Sequence, residues 1–184
     1  MKIDEQKVIE LGKIWMKNSI NKTHNFEHAQ NVLNHALKIY PQFKDLDENL
    51  VEIACWWHDC YKSRTKKDTF ESIFLEGIRA VKIFENEIGN RMDQERKKIV
   101  AQAIKRHSNF LWIIFNRKGM NNLDIVLFES DQLEQFNDIR ASNGKKVRQS
   151  PFVNVLLVIM RPFLQNVLRV RAVSTYTKNL IKTY

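Results

Sequence analysis

Chain breakers are scarce in this sequence: 5 Gly and 3 Pro are spread over 184 residues. Hairpin turn signals are nearly absent. Apolar residues recur at three- and four-residue spacing rather than alternating, which is the pattern of helices laying one face on a core. The punctuation therefore sets the elements. A first helix is expected from a cap at Asp4 to about Asn18, with Val8, Leu11 and Trp15 on one face. A second runs from about Asn25 to Tyr40 on Phe26, Ala29, Leu33, Ala36 and Leu37, and Pro41 stops it. A third, from Asp47 to about His58, turns Leu50, Ile53, Ala54 and Trp57 inward.

The polar stretch Tyr61–Asp68 reads as a loop. A fourth helix is expected from Thr69 to about Ile88, closed by Gly89, and a fifth from about Asp93 to His107. Asn116–Asn122 reads as a turn before a sixth helix from about Leu123 to Ile139. Ala141–Ser150 is a polar, basic loop. The segment from Phe152 to Tyr184 reads as helical with a break or kink at Pro162. The expectation is an all-α helical bundle forming one domain over residues 1–184.

Composition narrows the class. Hydrophobic residues make up 43% and charged residues 28%, the balance of a globular chain and not of a disordered one. The start, MKIDEQKVIELGK, carries no long apolar run, so no secretory signal is expected. The longest apolar runs, Phe110–Phe115 and Val155–Met160, fall short of the roughly 18–20 residues a membrane span needs. Two cysteines, Cys55 and Cys60, cannot build a disulfide framework, and the expected compartment is the cytoplasm.

Charge is distributed unevenly. Residues 1–138 carry 21 groups of each sign, so the whole formal charge of +9 falls on residues 139–184, which contain no Asp or Glu. An anionic partner or substrate near that end is one implication. The basic residues there are interspersed with Val167, Leu168, Val170, Ala172 and Val173, however. That spacing favours an amphipathic helix with a solvated face over a nucleic-acid or membrane-surface binding module.

Five histidines offer chemistry: His24, His28, His35, His58 and His107. At about 100° per residue, His24, His28 and His35 share roughly one helical face. His58 is followed by Asp59 at the end of the apolar run Ile53–Trp57, and a buried carboxylate must be paired or bound to metal. Asp131 has a similar context after Val126, Leu127 and Phe128. A chain of this composition contains a His-Asp dipeptide by chance in about one case in four. The dipeptide gains weight only within the ordered set His28, His58-Asp59, Asp131.

That set resembles the HD-domain superfamily of metal-dependent phosphohydrolases, whose pattern is H…HD…D on an all-α bundle. The matching segments are THNFEHAQNVLNHA around His28, IACWWHDCYK around His58-Asp59 and LFESDQLEQF around Asp131. Glu71-Ser72 stands where small uncharacterised bacterial members open the next helix with Glu-Ser. The resemblance covers about residues 20–140, with the basic segment 151–184 beyond it. Cys60-Tyr61-Lys62 departs from the small-residue-then-Gly sequence of the HD-GYP subgroup. Lys62 stands where some nucleotidase members keep an acidic residue, and Gln132–Phe136 replaces the small residues common after the last Asp.

The resemblance implies a divalent metal held by His28, His58, Asp59 and Asp131, and a phosphorylated small-molecule substrate. Two imidazoles and two carboxylates form a mixed nitrogen–oxygen set suited to Mn, Mg, Co, Ni, Fe or Zn. Asp59 is expected to join metal ligation to positioning of the nucleophile. Transfer of a phosphoryl group calls for cations nearby, and the candidates are Lys62, Arg64, Arg106 and His107. Among these, Lys62 and His107 are expected in catalysis, and Arg64 and Arg106 in substrate binding. His24 is expected to reach substrate from one turn before His28, and Glu71 to act as general base or to orient a metal-bound imidazole. His35 reads as a packing residue, and Cys55 and Cys60 as small core residues. Trp56, Trp57, Phe70 and Phe74 read as core or pocket wall. A di-iron oxygenase on the same fold is the other enzymatic alternative, but it needs about six protein ligands, and the sequence shows no clear sixth.

Overall fold

The computed structural model describes residues 4–66, 70–107, 119–135 and 172–182, with residues 70–74 described in backbone only. Seven α-helices occur among the described residues: α1 (Glu5–Lys17), α2 (Phe26–Ile39), α3 (Glu48–Trp57), α4 (Phe70–Ile88), α5 (Gln94–His107), α6 (Asn122–Gln135) and α7 (Thr175–Ile181). No strand occurs among them. The all-α fold class expected from the sequence is therefore the fold observed.

Side-chain caps set the starts of the first three helices, because the first backbone N–H groups of a helix lack internal partners. Asp4 accepts from the Lys7 N–H, Asn25 from the His28 N–H and Asp47 from the Asn49 N–H. Gly89 ends α4 at φ +55°, a left-handed conformation that costs glycine nothing. The stretch after His58 is tighter than the expected loop, with a 3-10 turn at Lys62–Arg64.

Helix α3 lies at the centre, packed on α1, α2, α5 and α6; α2 packs on α6 as well, and α5 on α4 and α6. Helix α3 buries Leu50, Val51, Ile53, Ala54, Cys55, Trp56 and Trp57, nearly its whole circumference. The buried stripe of α1 differs from the expected one: Val8, Ile9, Gly12 and Met16 are buried, while Leu11 and Trp15 flank them, partly covered. Gly12 is the reason. A Cβ there would stand 2.7 Å from Trp57 Nε1 and 2.8 Å from Trp56 Cβ, so only glycine lets α1 lie this close to the paired indoles.

The C-terminal segment also differs from expectation. Residues 172–174 are not helical, and Ser174 caps α7 by accepting from the Thr177 N–H. These residues are held instead by the buried Glu129 carboxylate of α6, which accepts from the N–H of Val173 at 2.6 Å and the Ser174 hydroxyl at 2.5 Å. Pro162 and the rest of residues 136–171 lie outside the described residues. No described helix is long and apolar enough to cross a membrane.

Candidate metal centre

Three helix ends and one helix interior meet at the middle of the bundle. His28 comes from the first turn of α2, His58 and Asp59 from the end of α3, His107 from the last residue of α5, and Asp131 from within α6. All are buried, with exposures of 3%, 0%, 2%, 3% and 5% respectively. His24 adds to them from the loop ahead of α2 rather than from the helix, so it does not share a helical face with His28 and His35 as the spacing suggested.

Local hydrogen bonds fix the direction of two imidazoles. His58 donates from Nδ1 to the Cys55 carbonyl at 2.8 Å, and His107 from Nδ1 to the Ile104 carbonyl at 2.6 Å. Each ring is thereby held with Nε2 turned toward the cluster, the arrangement a metal-binding imidazole uses. His24 donates from Nδ1 to Asp59 Oδ2 at 2.6 Å.

The distances test whether a cation suits these atoms. Metal–ligand bonds of about 2.1 Å at right angles put neighbouring ligand atoms about 3.0 Å apart. His28 Nε2 stands 3.1 Å from His58 Nε2 and 3.0 Å from Asp59 Oδ2, and His58 Nε2 stands 3.3 Å from Asp59 Oδ2. Those three atoms form a triangle of the size of one face of an octahedron. Asp131 Oδ1 lies beside it, 3.5 Å from His28 Nε2 and 3.9 Å from His58 Nε2. The residues present fit a divalent metal.

The second Asp59 oxygen looks the other way. Oδ1 is 3.6 Å from His107 Nε2, which is itself 3.5 Å from Oε1 of Glu76 on α4. Glu76 Oε2 pairs with Lys62 Nζ at 2.9 Å. The electrostatics follow. Burial alone would raise the Asp59 carboxyl, but the neighbouring imidazoles of His58, His24 and His107 and the hydrogen bond from His24 outweigh it and hold the carboxyl well below its ordinary range. Burial alone would lower His107, but the neighbouring carboxylates of Asp59 and Glu76 push it up to about 10.

The residues singled out in the sequence are thus distributed unequally. His24, His28, His58, Asp59, His107 and Asp131 come together, and Lys62 reaches the cluster through Glu76. Arg64 instead lies over the Trp15 ring at 4.2 Å and donates to the Asn18 carbonyl. Arg106 pairs with the buried Asp124 at 2.6 Å and donates to the Gly119 carbonyl, tying α5 to the start of α6. The side chain of Glu71 lies outside the described residues, as do those of Phe70 and Phe74. His35 meets the hydroxyl of Tyr176 on α7 at 3.2 Å. Cys55 and Cys60 are buried free thiols, and burial pushes both upward in pKa. Of the basic C-terminal residues, Lys178 and Lys182 are described, and both are exposed on α7 or its end, each next to a buried residue, Thr177 and Ile181.

Glu76 was not among the residues the sequence pointed to. Its signal was a carboxylate alone in the apolar run Ile73–Ile78, directly before Gly77. A Cβ on Gly77 would stand 2.2 Å from the Lys105 carbonyl oxygen. Helices α4 and α5 therefore touch backbone to backbone there, which brings Glu76 to His107.

A family model described as HD domain matches residues 25–135, from the cap of α2 to the last residue of α6. The chain belongs to the HD-domain family. The match contains His28, His58, Asp59, Glu76, His107 and Asp131, and begins one residue after His24. No curated protein and no solved structure matches the chain.

Proposed function

We propose that this chain is a metal-dependent phosphohydrolase acting on a phosphomonoester or phosphodiester, in a nucleotide or another small phosphorylated metabolite. The observation that carries this reading is the triangle of His28 Nε2, His58 Nε2 and Asp59 Oδ2, with edges of 3.1, 3.0 and 3.3 Å and Asp131 beside it. When bound there, a divalent metal supplies Lewis acidity toward a phosphoryl oxygen and lowers the pKa of water.

The chain's own groups divide the remaining work. Asp59 orients through both oxygens, His24 on one side and His107 on the other. His107 holds a proton between Asp59 and Glu76. Lys62, fixed by Glu76, places a cation at the rim of the cluster to offset charge gathering on the phosphoryl oxygens. His24, at 8% the most exposed of the four clustered histidines, is the one placed to contact substrate. The test is a panel of phosphorylated metabolites with Mn, Mg, Ni and Co. Metal-dependent phosphate release is expected, falling to background in His58→Ala and Asp59→Ala; full activity in either variant overturns the assignment.

The di-iron oxygenase reading gains one thing from the structure, because Glu76 supplies the sixth candidate ligand. Lys62 weighs against it, since its ammonium already balances Glu76. Metal analysis separates the two: two irons per chain favour the oxygenase.

A further inference from the structure

Asn21 is 5% exposed and belongs to neither a helix nor the ligand set, yet its side chain makes five hydrogen bonds. Its Nδ2 donates to the carbonyls of Lys62 at 3.3 Å and Thr65 at 2.9 Å. Its Oδ1 accepts from the Thr23 N–H at 2.9 Å, the Thr23 hydroxyl at 2.9 Å and the His24 N–H at 3.2 Å. The donor end thus holds the turn that follows His58-Asp59, and the acceptor end holds the residue whose imidazole touches Asp59. Ser19 repeats the stitch: its hydroxyl lies 2.8 Å from the His24 carbonyl and 3.1 Å from the Ser63 carbonyl, with one proton to share. The Ile20 N–H adds a backbone bond to the Ser63 carbonyl at 2.9 Å.

We propose that Asn21 is a positioning residue of the metal centre, fixing the His24 loop to the turn after Asp59 and so setting His24 on Asp59 Oδ2. The physical reason is reach. His24 lies outside α2, so no helix fixes its backbone. A carboxamide is the one uncharged side chain that offers two donors to one strand of backbone and two lone pairs to another. Partners behind a metal ligand govern how well it is aimed, and their loss typically weakens metal binding. The inference rests on the metal-centre reading above, but not on which phosphoester is cleaved.

The test is titration of the metal-free full chain with Mn and Co, read by calorimetry, for wild type, Asn21→Ala, Asn21→Asp, His24→Ala and the Asn21→Ala/His24→Ala double variant. Asn21→Ala is expected to weaken binding about tenfold. Asn21→Asp keeps the acceptor for His24 but loses both donors to Lys62 and Thr65, and should weaken binding as much. In the His24→Ala background, Asn21→Ala should change affinity no further, because its effect passes through His24. Ser19→Ala, a smaller lesion, should show the same dependence on His24 should Asn21→Ala fail to fold. Unchanged affinity in Asn21→Ala, rescue by Asn21→Asp, or additive losses in the double variant would overturn the inference alone. Absence of binding by the wild type would overturn the metal-centre reading and this inference with it.

Discussion

Of the buried carboxylates on helix α6, two stand two residues apart, Glu129 at 1% exposure and Asp131 at 5%. Their surroundings differ in kind. Glu129 is ringed by donors: the N–H groups of Val173 and Ser174 and the Ser174 hydroxyl. Those bonds hold the C-terminal helix to the bundle. Asp131 accepts from the Gln135 amide, Nε2 at 2.9 Å, and turns its other oxygen to the Nε2 atoms of His28 and His58. Burial alone therefore does not mark a functional carboxylate; what faces it does. A carboxylate facing backbone N–H groups is a joint, whereas one facing inward-turned imidazoles has the makings of a cation site.

Substitution should separate the two. Glu129→Ala removes the acceptor for several buried donors and should lower stability by about 2–4 kcal/mol in a denaturant titration. Metal affinity should be nearly unchanged. Asp131→Asn keeps the shape and the Gln135 contact, so stability of the metal-free protein should change little while metal affinity falls. If the two variants behave alike, the distinction between joint and cation site fails.

The next largest effect is expected at Gly77, where the site depends on helix packing. Gly77→Ala must push α4 away from the Lys105 carbonyl, at a cost of about 1–3 kcal/mol. Because Glu76 moves with α4, this variant should also disturb His107, which an NMR titration of the histidine ring would record. Gly12→Ala should destabilise by a similar mechanism but leave that titration alone, since Gly12 meets Trp56 and Trp57 instead.

The sequence made the helix ends more legible than the site's supporting cast. Asp4, Asn25, Asp47 and Gly89 mark helix ends by local chemistry, and each stands where it was expected. His28, His58-Asp59 and Asp131 were legible as an ordered set, since metal-ligand types in that order are recognisable without coordinates. Glu76 was not, because its role depends on Gly77 closing the gap to α5. The non-helical residues 172–174 were not either: their hydrogen bonds go to Glu129, more than forty residues earlier. Arg106 looked like a cation for substrate, but its pairing with Asp124 follows from how α5 meets α6. Local signals read well; contacts made by packing do not.

A further prediction concerns pH. His107 is raised from an ordinary 6.5 to about 10, so in the metal-free protein its favourable charge is fully present below 6.5. That contribution is lost as pH rises through about 10. Denaturant midpoints of the metal-free protein should therefore decline between those values, and Glu76→Gln should shift the decline to lower pH. An unaltered profile in Glu76→Gln would show that Glu76 does not hold the His107 proton.

The central claim is the cation site at the α2–α3–α6 junction. Its most direct test is metal content after loading with divalent metal and exhaustive dialysis, for wild type, His58→Ala and Asp59→Ala. Circular dichroism on the same samples confirms that each is folded. Stoichiometric divalent metal is expected in the wild type and none in either folded variant. Wild-type protein without metal, or variants that retain it in full, would contradict the claim.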